Sequence, residues 1–285
     1  MAEQAILAQL RSAAEAADLP STSMPPNPWP DSAEGTALVA ALTSWTERSQ
    51  KPLVLMFDHF DAIRGESRIS VQSQLRAGFT GRRSRFPHSV VLCGQRDVRK
   101  YHEEFRGEPT LMESVAPSDI TVAAVRLDDF TAEEIYILYS QHTAQTGQEF
   151  TSTAMDLAYR YTQGQPWLVN ALAFEVIYAM EVQNTIGDHH IQEAKARLIR
   201  ARATHVDSLS ARLAEHRVER VIAPLISGAL LDPQFIDDVS YVRDLGLIAN
   251  DDPIRIANPI YEEIIFRVLG EGIESMIAAS LRTSG

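Results

Sequence analysis

Cysteine, lysine and long apolar runs are all scarce in this chain of 285 residues. The single cysteine, Cys93, excludes an internal disulfide and a multi-cysteine zinc site, and it fits a reducing compartment, so the cytoplasm is the expected location. The longest apolar run, Leu168 to Met180, is broken by Asn170 and Glu175 and falls short of the ~20 residues that cross a bilayer. No membrane span is expected, and the Met1-Ala2-Glu3-Gln4 start lacks the basic residues of a secretory signal. Lysine occurs only as Lys51, Lys100 and Lys195, which leaves arginine to supply the positive charge. With 26 basic and 38 acidic residues, the net charge of −12 disfavours nucleic acid or an anionic membrane as a partner of the whole chain, because both recruit basic surfaces.

One segment departs from that balance. Residues 64–106 carry 10 basic and 4 acidic side chains, whereas the segments on either side are acidic. Arg76, Arg82, Arg83, Arg85, Arg99 and Lys100 lie in this block, which reads either as a solvated loop region or as a contact for nucleic acid or an acidic partner.

What is present is an ordered series of elements. Ile6, Leu7, Leu10, Ala13, Ala14 and Ala17 recur at helical spacing, and the helix they predict ends near Leu19-Pro20. A proline-rich loop, Pro20 to Pro30, follows, and Asp31 is positioned to cap a helix carrying Leu38, Val39, Leu42 and Trp45. Leu53-Val54-Leu55-Met56-Phe57 is wholly apolar and closes on Asp58, the pattern of a buried parallel strand that delivers a carboxylate to the end of a sheet. A helix over 67–79 leads to Ser89-Val90-Val91-Leu92-Cys93, a second buried strand in which Cys93 is an inert packing residue. Strand, helix, strand implies a parallel pair, and Ile120 to Leu127 is a third strand candidate.

From there the pattern is helical. Thr131-Ala132-Glu133-Glu134 is a capping box, and helices are expected near 132–146, 152–163, 166–182 and 190–216, with Gly164-Gln165-Pro166 as a sharp joint. Trp29, Trp45 and Trp167 read as packing anchors, and His189-His190 as a polar helix start. The last eighty or so residues hold Leu245-Gly246-Leu247-Ile248, a turn at Asn250-Asp251-Asp252-Pro253, Ile254-Arg255-Ile256, and Asn258 as N-cap with Pro259 in the first helical position. Helices, a β-hairpin and a closing helix are the order of a winged helix-turn-helix.

Four of these segments together carry a resemblance: Leu53 to Asp61, Ser89 to Val98, Gly164 to Leu172 and Tyr241 to Tyr261. In this order they resemble the prokaryotic STAND/AAA-type P-loop ATPases, and the resemblance runs from about residue 5 to the end. It implies a P-loop-type α/β core over 1–129, a helical lid over 130–204 and a winged helix-turn-helix over 205–285. In that family the acid after the apolar strand holds Mg²⁺ and a following Glu polarises the attacking water. Asp58 matches the first position. His59 stands where the Glu would be, and Asp61 keeps the later acid. Arg96 matches a sensor arginine near the γ-phosphate, and Gly164 and Pro166 match a turn that approaches the nucleotide base.

The phosphate-gripping part of that family is not found in the residues. Phosphates are cradled by a G-x-x-x-x-G-K-[ST] loop, whose backbone N–H groups and lysine converge on them. No two of the fourteen glycines stand five apart, and Lys51, Lys100 and Lys195 are followed by Pro, Tyr and Ala. The expectation is an ATPase-like regulatory or signalling module that does not bind or hydrolyse ATP alone and that works through a protein partner or self-association. Two alternatives stand beside it. ATP and Mg²⁺ are bound if a segment upstream or a partner chain completes the site, with Asp58 on the metal and Arg96, Gly164 and Pro166 on the nucleotide. DNA binding by the winged helix is the other, against which 205–285 carries 7 basic and 13 acidic residues.

Overall fold

A computed structural model of the chain describes residues 2–81, 85–94, 123–204 and 212–268. The chain divides into two units, 1–125 and 126–285. Among the described residues it is mostly helical, with one small sheet of two parallel strands.

The first unit opens with helix α1 (Ala2–Ala16) and helix α2 (Ala37–Arg48). Strand β1 (Val54–Phe57), helix α3 (Gly65–Gly81) and strand β2 (Ser89–Leu92) follow, and the strands pair in parallel with Val54 opposite Ser89 and Phe57 opposite Leu92. The expected parallel pair therefore forms. Leu7 of α1, Leu38, Leu42 and Trp45 of α2, and Val71 and Leu75 of α3 bury their side chains together with Leu55 of β1. Each such side chain contributes about 1.5–3 kcal/mol through removal of apolar surface from water.

The start of α2 corrects the sequence reading. Asp31 is not its cap: the helix begins at Ala37, and its first N–H groups are satisfied from a distance. Leu38 N–H donates to Gln74 Oε1 at 2.8 Å and Ala37 N–H to Glu3 Oε2 at 3.3 Å, while Gln74 Nε2 donates to Glu3 Oε1 at 2.7 Å. A carboxylate from α1 and an amide from α3 thus take the place of a local cap at the positive end of the helix.

The strands also differ from expectation in their burial. Leu55 is buried, but Val54, Met56 and Val91 are exposed, because α1 to α3 pack against one face of the pair only. The third strand candidate is corrected too. Its residues 123–127 form no strand and are exposed, Val125 and Leu127 among them, while 120–122 lie outside the described residues.

The second unit contains helices α4 (Ala132–Thr146), α5 (Ser152–Thr162), α6 (Pro166–Phe174) and α7 (Asp188–Thr204). The capping box forms: Glu134 N–H donates to Thr131 Oγ1 at 3.2 Å, and Thr131 N–H donates to Glu134 Oε2 at 2.8 Å. Beyond Phe174, α6 widens into a π-turn, Glu175–Ala179. The long helix expected over 190–216 does not hold, since Glu215 is extended and starts a separate helix, α8 (His216–Ser227). Helix α9 (Ile236–Asp244) packs on α8, and Asp238 of α9, nearly buried, receives Arg217 at 2.7 Å and Arg220 at 3.0 Å.

The hairpin signal is met by an antiparallel bridge between Ile248 and Ile256, closed by Ala249 N–H donating to the Arg255 carbonyl at 2.9 Å. Asn258 then caps helix α10 (258–268 less its cap, 259–268), its Oδ1 accepting from Tyr261 N–H at 2.9 Å. Ile260 and Ile264 of α10 are buried with α4 to α7, whereas Ile265 is buried with α8 and α9. One helix is therefore shared by two cores of this unit.

Candidate functional site

Parallel strands place whatever follows their C-terminal ends at the sheet's ligand-facing edge. Here that position is held by Asp58 and His59, immediately after β1. The neighbouring strand fixes the turn: Cys93 N–H donates to the Phe57 carbonyl, and Phe60 N–H donates to the Cys93 carbonyl, both at 2.8 Å. Between these two bonds the chain must reverse, and His59 does so in the left-handed region at φ 53°, ψ 39°. That conformation costs a non-glycine residue on the order of 1 kcal/mol.

Asp58 stabilises the turn it precedes. Its Oδ1 accepts the His59 N–H at 2.8 Å, and its Oδ2 lies 3.2 Å from His59 Nδ1. Both side chains are more than three-quarters exposed, so the pair meets solvent directly. The structure thus brings Asp58 and His59 together as a carboxylate–imidazole pair. Among the described residues no group of three or more His, Cys, Asp or Glu side chains is arranged to hold a metal ion.

A residue that the sequence reading missed holds this turn from below. Arg68 of α3 is 2% exposed, and its guanidinium donates to the Ile63 carbonyl through Nε and to the Asp61 carbonyl through an Nη at 3.4 Å. Arg68, Val71 and Leu75 share one buried face at spacings of three and four. An arginine inside an apolar helical stripe was the available signal.

Gly164 and Pro166 belong to the second unit. Gly164 has φ +83°, and a Cβ there would stand 1.9 Å from the Phe130 carbonyl oxygen. Phe130 N–H donates to the Gly164 carbonyl at 2.8 Å, and Pro166 opens α6 with Gln165 as its cap. The demand for glycine is met by contact with backbone of the same unit. Arg96, the remaining member of the predicted set, lies outside the described residues.

Two side chains stand differently from expectation. Cys93 is exposed, standing just past the last residue of β2 in a sheet that, among the described residues, is covered on one face. Trp167 is 48% exposed, and with Phe174 and Tyr178 it forms an aromatic stripe along α6 and its π-turn, while Trp45 is buried as an anchor. Elsewhere, His190 Nδ1 accepts the Gly187 N–H at 3.1 Å, and burial together with the neighbouring His189 ring holds its pKa below the usual histidine range. Among the described residues no helix is long and apolar enough to cross a membrane.

No protein-family model matches the sequence, and no curated protein matches it. Among solved structures, the chain is similar to a Walker-type ATPase of Pyrococcus abyssi, with a TM-score of 0.55 and 10% identity over 82% of this chain and 68% of that one. It also aligns with the RuvB Holliday junction branch migration motor of Thermotoga maritima at a TM-score of 0.37 and 11% identity, over 94% of this chain and 93% of that one. A mutant RuvB from the same organism aligns at 0.40 and 14%, over 84% and 75%. The first likeness establishes a fold of the P-loop ATPase kind; the RuvB alignments are too loose to carry an argument.

Proposed function

We propose that the chain is an ATPase-like regulatory or signalling module, in which a P-loop ATPase fold serves as scaffold and ATP chemistry is not performed by its own residues. The observation that carries this reading is the state of the β1 end. A Mg²⁺–nucleotide site needs converging backbone N–H groups, a lysine and more than one metal-holding oxygen. Asp58 is the carboxylate that directly follows β1, it is engaged by His59, and no lysine follows the glycine spacing of a phosphate loop. These residues do not by themselves fit Mg–ATP. The signal would leave through protein contacts, and the acidic winged-helix-like segment 205–285 is read as a protein-docking domain in preference to a DNA-binding one. Titration with a fluorescent ATP analogue and Mg²⁺ tests the reading. The expected result is no saturable binding at micromolar nucleotide, and Mg²⁺-dependent micromolar binding overturns it.

One observation favours a second reading. Asp58 stands exposed at the C-terminal end of a parallel strand, where α/β sheets receive ligands. A phosphate-binding segment from outside residues 1–285 would complete a nucleotide site there, with Asp58 available to a metal. Restored Mg–ATP binding on adding such a segment, lost in Asp58→Asn, would support this reading over the first.

A further inference from the structure

We draw no further inference here: the strongest candidate, the exposed surface patch of Phe174 and Tyr178 along α6 and its π-turn, carries nothing because nothing among the described residues shows what covers it.

Discussion

Gly164 and Phe130 meet backbone to backbone: the Phe130 N–H donates to the Gly164 carbonyl at 2.8 Å, and a Cβ on Gly164 would lie 1.9 Å from the Phe130 oxygen. At φ +83° any side chain is strained even before that clash. Gly164→Ala is therefore expected to destabilise the chain by about 2–4 kcal/mol in urea unfolding. An unchanged midpoint would show that the packing of this turn does not require glycine.

Arg68 is expected to act through the turn above it. Arg68→Met keeps much of the apolar stem but removes the donors to Asp61 and Ile63, at a cost of about 2–4 kcal/mol. Amide hydrogen exchange at Phe60, whose N–H is bonded to Cys93, should accelerate more than exchange in α4. Uniform acceleration along the chain would argue that Arg68 has no special hold on the turn.

Lys195 Nζ lies 2.9 Å from Glu263 Oε2, and Arg267 approaches the other oxygen at 2.7 Å. Hydrogen bonding from Lys195, offset in part by burial, holds the Glu263 carboxyl below its usual pKa. The stability this contributes is present above the ordinary glutamate value of about 4.3 and is lost as pH falls through the lowered folded value. Because the pair is partly exposed, about 0.5–1 kcal/mol is expected. Thermal melts of Lys195→Met should show a smaller loss of Tm between pH 6 and pH 3 than the parent.

His190 adds a second pH dependence nearer neutrality. Its Nδ1 accepts the Gly187 N–H, and protonation would replace that acceptor with a donor at the positive end of α7. Burial and His189 depress its pKa, against the opposing pull of Asp188. Stability is thus complete above the unfolded histidine value of about 6.5 and declines as pH drops below it. His190→Asn, which keeps an acceptor without titrating, should flatten the Tm profile between pH 7 and pH 5, and an unaltered slope would rule the residue out.

Cys93, exposed at the end of β2, should react with Ellman's reagent in the native chain within a few-fold of its rate in denaturant. A reaction slowed by orders of magnitude would place the thiol under cover.

Much of this fold could be read from neighbours in sequence. The two apolar runs, the Thr131–Glu134 box and the Asn258–Pro259 helix start all depend on residues within a few positions of one another, and all three form. The start of α2 could not be read that way, since Glu3 and Gln74 cap it from far along the chain. Burial misled for a related reason. Apolar sequence reports which surfaces are suited to burial, and the exposure of Met56, Cys93 and Trp167 depends on what packs against them. At the candidate site, Asp58 and His59 fell where the apolar run placed them, but the left-handed turn and the arginine supporting it emerge only when α3 is folded beneath β1.

The shared helix α10 has a mechanical consequence. With Ile260 and Ile264 seated among α4 to α7 and Ile265 seated against α8 and α9, neither group can turn relative to the other without withdrawing an isoleucine from a closed core. The unit 126–285 should accordingly melt as one calorimetric transition, and a force applied at the Ile248–Ile256 hairpin would be felt by α4 to α7 as torque carried through a rigid rod.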